Sequence, residues 1–246
     1  MVNALVIRAA GTNTDVETVV ACEKAGFRTD LLHVNRLVEK PDTFDGYQLF
    51  VVPGGFSYGD DLGSGRVFAN ELRLRLIDPI RKFVRDGKLV LGICNGFQVL
   101  VKSGLLPDPL GEGPPTVTLT FNDLGRFQDR WVRLRAVSPK SVWLREGDVL
   151  ETAVTHGEGK FVAPAATLDR LEAAGQVAFR YVDGNPNGSL RDIAGICDPT
   201  GRVLGLMPHP EKHQDPTNHP RWTRRGPREP DGSRLFRAAF EHLKSP

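Results

Sequence analysis

Cysteine is scarce in this chain, with three in 246 residues. An odd count leaves at least one thiol unpaired, and no C-x-x-C spacing supplies paired ligands. Neither a disulfide scaffold nor a structural zinc site is therefore expected, and no other metal site is read from the sequence. Charge of one sign is also missing. The 32 Lys and Arg residues stand against 30 Asp and Glu, a net charge of +2, which gives no bulk field for nucleic acid or an anionic membrane. A short basic stretch at Arg221, Arg224, Arg225 and Arg228 lies among prolines and glycines and reads as a solvated loop. No apolar run approaches the roughly 20 residues that span a bilayer. No charged leader precedes the first apolar run, so the expected compartment is the cytoplasm, where thiols stay reduced. A Gly-x-x-x-x-Gly-Lys-Ser/Thr phosphate loop is absent as well. Repeats, low-complexity tracts and a convincing linker are lacking, and residues 1–246 are expected to fold as one domain.

What remains is an ordinary globular composition, 40% hydrophobic and 25% charged, long enough to bury a large core. The first half alternates short apolar runs with amphipathic stretches. Strands are predicted over 4–7, 27–34, 47–52 and 88–93. A helix capped by Asn13 or Thr14 should stop at Gly26, a second should run over 67–85 and stop at Gly87, and a third should open after Cys94. Continuously apolar strands separated by helices imply a mostly parallel central sheet with helices on both faces, an α/β fold. Ligands gather at the carboxyl ends of such strands. That edge would carry Gly11, Pro53-Gly54-Gly55 and Cys94. The second half reads as a small mixed β extension, with strands over 116–121, 131–137 and 176–182. A hairpin follows over 193–197 and 202–207, and a last amphipathic helix over 233–243.

Gly92-Ile93-Cys94-Asn95-Gly96 has the form G-x-C-x-G at a strand-to-helix junction, the cysteine counterpart of a nucleophile elbow. Flanking glycines permit a sharp turn that lifts the thiol from the sheet. The opening helix offers free N–H groups and a positive dipole end, which favour a thiolate. The alternative, an inert cysteine in a tight turn, gives the two glycines no purpose. A thiol nucleophile needs a base, and the base an orienting partner. Met207-Pro208-His209-Pro210-Glu211 supplies both at the end of an apolar strand. The N–H groups of Asn95 and of Gly54-Gly55 are candidate oxyanion donors, Gly55 foremost. Cys22 and Cys197 read as core packing.

With these segments in place, the chain resembles the class I, triad-type glutamine amidotransferases along most of its length. More narrowly it is similar to the glutaminase subunits of phosphoribosylformylglycinamidine synthases. The narrowing residues are Gly11-Thr12-Asn13-Thr14-Asp15, Gly54-Gly55-Phe56-Ser57-Tyr58-Gly59-Asp60-Asp61 and Gly92 to Gln98. His156-Gly157-Glu158-Gly159-Lys160-Phe161 and Asn185-Pro186-Asn187-Gly188-Ser189 carry most weight, because they are not generic to glutaminases. Departures are Ala9 and Ala10 ahead of Gly11, Thr14 where cysteine is common, and a longer, more basic segment over 214–231.

The resemblance implies a flavodoxin-like fold and a triad of Cys94, His209 and Glu211 that hydrolyses L-glutamine. Gln98 is implied to help bind that substrate. It further implies no cofactor in this subunit, with ATP and Mg2+ on a separate synthetase subunit that receives the ammonia. A small third subunit is expected to bridge the two. His156 and Glu158 are candidates for a partner-facing loop. Competing readings are the glutaminase of another amidotransferase, a cysteine peptidase of similar fold, or a non-catalytic assembly subunit. The first lacks the Phe-Ser-Tyr-Gly-Asp-Asp and His-Gly-Glu-Gly-Lys-Phe blocks. The peptidase has no use for Pro-His-Pro-Glu so late in the chain, and the assembly subunit has no use for an intact triad.

Overall fold

The computed structural model describes residues 1–111, 113–226 and 228–245. Glu112, Pro227 and Pro246 lie outside the described residues, so one position of the basic stretch and the last of the 1–246 domain fall there. The first half alternates β1 (Asn3–Arg8), α1 (Asp15–Ala25), β2 (Arg28–His33), α2 (Val34–Glu39), β3 (Leu49–Val52), α3 (Arg66–Arg75), α4 (Ile77–Arg85), β4 (Leu89–Ile93) and α5 (Asn95–Lys102). The second half adds β5 (Thr118–Thr120), β6 (Gln128–Ala136), β7 (Val149–His156), β8 (Lys160–Val162), α6 (Ala165–Ala173) and β9 (Val177–Val182). It ends with β10 (Ile193–Cys197), β11 (Val203–Leu206), α7 (Trp222–Arg225) and α8 (Asp231–Lys244).

Among the described residues, nine strands form one sheet in the order β2-β1-β3-β4-β11-β10-β9-β6-β7. The first five run parallel, and the rest are antiparallel neighbours. The mixed extension thus continues the central sheet, and only β5 and β8 pair separately. β3 and β4 are buried at every position, as strands covered on both faces must be.

Three sequence expectations differ from the structure. Thr14 stands at the N-cap of α1, but neither it nor Asn13 caps the helix with its side chain. The helix over 67–85 is two helices, broken at Leu76 (φ −130°, ψ 4°). Pro79 explains the break: its ring would clash with the Arg75 carbonyl in a continuous helix, whereas the first turn of a new one accepts it. Strand β7, unpredicted, lies at the sheet edge beside β6. Its outward backbone groups are taken up by side chains and a loop. Arg234 donates to the Val149 carbonyl at 3.0 Å, Asp231 accepts from the Glu151 N–H at 2.9 Å, and His213 Nδ1 donates to the Glu151 carbonyl at 2.8 Å. The His209 N–H donates to the Ala153 carbonyl at 2.8 Å.

Cys22 and Cys197 are fully buried. Burial drives both thiols upward, Cys197 to about 11, so neither ionises readily. Part of the basic stretch is tied down by ion pairs rather than left as a solvated loop. Arg225 pairs with Glu151 at 2.5 Å, and His219 meets the other carboxylate oxygen at 3.1 Å. Arg221 and Arg224 stay exposed. No helix among the described residues is long and apolar enough to cross a membrane.

Candidate active site

The carboxyl ends of β1, β3 and β4 bring three sequence-distant turns together. Cys94, between β4 and α5, adopts φ 51° and ψ −105°, a conformation that costs a non-glycine residue about 1–3 kcal/mol. The surrounding packing holds it there. Its N–H donates to the Leu206 carbonyl at 2.7 Å, and its carbonyl accepts from the Gln98 N–H at 3.1 Å. A Cβ on Gly96 would run into the Val52 carbonyl, and one on Gly92 would come within 2.7 Å of the Gly96 carbonyl oxygen. Helix and sheet therefore approach so closely that the two flanking positions admit only glycine. Cys94 itself is 5% exposed.

The Pro53-Gly54-Gly55 turn is braced by the β1–α1 loop. Thr14 Oγ1 accepts from the Gly54 N–H at 3.0 Å, and the Gly54 carbonyl accepts from Asn13 and Thr14 N–H at 3.3 and 3.4 Å. Thr14, a departure from the family pattern, thus holds this turn through its hydroxyl. The Gly54 N–H is occupied and is not an oxyanion donor. A Cβ at Gly54 would lie 2.8 Å from His209 Cε1, so its smallness seats the imidazole. Gly55 has φ +147°, and its N–H has no intramolecular acceptor among the described residues. The Asn95 N–H, at the first turn of α5, is likewise free.

His209 follows β11 and is held from several sides. Its Nδ1 lies 2.5 Å from Glu211 Oε1, and its Nε2 lies 2.9 Å from Thr155 Oγ1. Its carbonyl accepts from the Thr152 hydroxyl at 2.5 Å. Its side chain also faces Cys94. Burial alone would push this imidazole down; the Glu211 carboxylate and the Cys94 side chain outweigh it and hold the ring up at about 9. Because Glu211 only accepts, Nδ1 carries a proton and Nε2 is the nitrogen turned to the chemistry.

Cys94 opens into a cleft of about 220 Å³, with room for an amino-acid-sized ligand. Phe56, Phe121 and Phe127 form an apolar wall; Asp60, Ser64, Gln98 and Glu158 supply polar groups. Gln98 is buried rather than exposed. Its Oε1 accepts from Asn95 Nδ2 at 3.0 Å, its Nε2 donates to the Glu158 carbonyl, and Asn95 Oδ1 accepts from the Ser57 hydroxyl at 2.6 Å. One side-chain chain thus spans the cleft floor. Burial, with Glu158 nearby, raises the Asp60 carboxyl against the hydrogen bonds from Ser64 and Gly65.

The partner-facing reading of His156 is corrected by its burial, at 3% exposure. Nδ1 faces Asn122 Oδ1 at 3.2 Å, and Nε2 faces Asn187 Nδ2 at 3.4 Å. Asn122 Oδ1 also accepts the Gly159 N–H at 2.9 Å, and Asn187 Nδ2 donates to the Gly159 carbonyl at 2.8 Å. His156 is the hub of a loop that lies close enough to His209 to feel its charge. Glu158 is turned to the cleft as well, accepting from the Ser64 N–H at 3.4 Å. Ser57, Asn122 and Thr155 are not individually marked in the sequence, and Thr14 stands out there only as a candidate helix cap and as a departure from the family pattern. A threonine alternating along an unrecognised strand was the only signal for Thr155. Asn187 lies in the Asn185-Pro186-Asn187-Gly188-Ser189 motif, which by itself assigns it no role.

The chain matches the family of CobB/CobQ-like glutamine amidotransferase domains over residues 1–243. The phosphoribosylformylglycinamidine synthase subunit PurQ of Dehalococcoides mccartyi is 45% identical over 251 residues, covering 98% of this chain and 97% of the relative. A chain in the structure of PurLQS from Thermotoga maritima matches at a TM-score of 0.78 with 32% identity, covering 99% of both chains. The glutaminase domain of Trypanosoma brucei CTPS, 18% identical with a TM-score of 0.57 over 98% of this chain and 94% of its own, shares the fold.

Proposed function

The chain belongs to the family of glutamine amidotransferase subunits of phosphoribosylformylglycinamidine synthase, the glutamine-dependent ligase of purine biosynthesis, and from that premise we propose which of its residues perform the glutaminase reaction. Cys94 is the nucleophile, His209 the general acid and base, and Glu211 the group that orients the imidazole. One observation carries the assignment. A strained cysteine at a helix start faces a buried histidine whose far nitrogen is fixed by a carboxylate at 2.5 Å.

The geometry supports a two-stage hydrolysis. The Cys94 thiol gives its proton to Nε2 of His209, and Sγ bonds the side-chain amide carbon of glutamine. The carbonyl oxygen, now negative, is received by the free N–H groups of Gly55 and Asn95, each worth about 2.7–4 kcal/mol in the transition state. Nε2 of His209 gives its proton to the departing nitrogen, the C–N bond breaks, and a γ-glutamyl thioester and ammonia result. Water then attacks the thioester carbon. Nε2 takes its proton, the C–S bond breaks, and glutamate leaves. Glu211 keeps Nδ1 protonated throughout, so Nε2 is always the reacting nitrogen. Gln98 lines the cleft and fixes Asn95 and the Glu158 loop, and through them the substrate pocket.

Ammonia passes to a synthetase subunit that converts formylglycinamide ribonucleotide to formylglycinamidine ribonucleotide, with a small third subunit bridging the two. ATP and Mg2+ belong to that synthetase, and this subunit works without a cofactor. The continuous sheet supports reading residues 1–246 as one amidotransferase domain, acting in the cytoplasm. The test is peptide mapping after incubation with a diazo-ketone analogue of glutamine, alone and with the synthetase. A single adduct on Cys94, suppressed by glutamine, is expected; silence in both settings refutes the assignment.

A further inference from the structure

We propose that Thr155 is a positioning residue of this reaction: its hydroxyl, anchored by Lys212, holds His209 Nε2 in place while Cys94 is esterified. The proposal rests on the triad assignment above and adds a group to it. Nε2 needs a partner in both stages. Before acylation the Cys94 sulfur serves. In the thioester that sulfur carries neither a proton nor a negative charge, and until the hydrolytic water arrives the imidazole, 1% exposed, cannot turn to bulk solvent. An unpartnered buried nitrogen would be costly there and free to reorient.

Thr155 Oγ1 stands 2.9 Å from Nε2. A hydroxyl suits both protonation states of the ring, accepting from the imidazolium N–H and donating to the bare nitrogen. Lys212 Nζ donates to the same oxygen at 2.8 Å. An ammonium only donates, so it occupies a lone pair and leaves the hydroxyl proton free to point at His209. No backbone group shares this hydroxyl among the described residues, whereas the neighbouring Thr152 hydroxyl is spent on the His209 carbonyl. The backbone of Thr155 also meets the nucleophile, its carbonyl accepting from the Cys94 thiol at 3.8 Å. One residue therefore touches both reacting side chains. When water enters to deliver its proton, the hydroxyl yields the single lone pair of Nε2, and it accepts from the imidazolium N–H once the proton has arrived, so the ring keeps its place.

The test uses the full chain assembled with its synthetase subunit, following glutamate release together with quenched intact mass of the Cys94 thioester. Thr155→Val should lower kcat about tenfold, the equivalent of one lost hydrogen bond. The thioester should accumulate and the KM for glutamine should fall with kcat, because hydrolysis has become limiting. Thr155→Ser should restore turnover. Lys212→Met should shift the balance the same way, to a smaller extent, and it carries the test should the valine variant fail to assemble. Unchanged kcat, or a loss of rate without thioester accumulation, overturns the proposal. Failure of the triad reading looks different: the wild-type protein would form no glutamyl adduct on Cys94 at all.

Discussion

His156 should make the protein acid-sensitive, and replacing it with glutamine should remove that sensitivity. Asn122 Oδ1, already receiving the Gly159 N–H, is an acceptor, so His156 Nδ1 donates to it. Asn187 Nδ2 donates to Gly159 O, which leaves His156 Nε2 as the acceptor facing it. A proton added at Nε2 would confront that donor. Burial first, and the cationic His209 after it, push this imidazole from 6.5 down to about 4. The unfolded chain therefore binds the proton more readily, and stability is lost as pH falls from the unfolded value through the folded one. At 1.36 kcal/mol per pH unit the full gap comes to about 3.4 kcal/mol, of which roughly 2.5 appears between pH 7 and 4.5. Other groups titrate in that window, so the informative quantity is the difference between wild type and His156→Gln. Urea unfolding at pH 7, 6, 5 and 4.5 would give it. The variant should be destabilised at pH 7 and lose less stability on acidification. Parallel pH curves would refute the neutral, buried imidazole.

Gly96→Ala should destabilise the fold by at least about 2 kcal/mol by driving a methyl into the Val52 carbonyl, and an unchanged urea midpoint would show that the elbow has slack. Cys94→Ala should abolish glutamine-supported synthesis by the assembled complex while ammonia-supported synthesis continues. Assaying both nitrogen sources on one preparation checks this, and loss of both in an assembled complex would contradict the division of labour.

The parallel half of the fold was readable because Leu89–Ile93 and its neighbours are uninterrupted apolar runs between glycines, and burial on both faces leaves that trace. The elbow was readable because its glycines mark a backbone contact that any side chain would obstruct. β7 was not. Its Glu151 and Thr155 face the C-terminal segment, so their polarity serves contacts more than 50 residues away and hides the strand pattern. The break at Leu76 is legible in Pro79, which a single helix over 67–85 could not hold in its interior. His156 shows a different limit. Its motif marked it as special, but its burial depends on Asn122 and Asn187, and their meeting is set by the sheet rather than by any local spacing. The sequence offers both Gly54 and Gly55 as donors, Gly55 foremost; the Thr14 hydroxyl that occupies the Gly54 N–H distinguishes them physically.

Strand β7 ends a nine-stranded sheet, and a bare edge of that kind is a template onto which another chain can add a strand. Here the capping is done by the same stretch of chain that bears His209, with His209 bonded to Ala153 and the following segment reaching Glu151 and Val149. The loop that presents the imidazole is therefore also the guard against strand addition. Proteolytic nicking after β11 would unmask an adhesive edge as well as silence the enzyme, so damaged molecules should tend to aggregate rather than persist as soluble, inactive competitors for the synthetase.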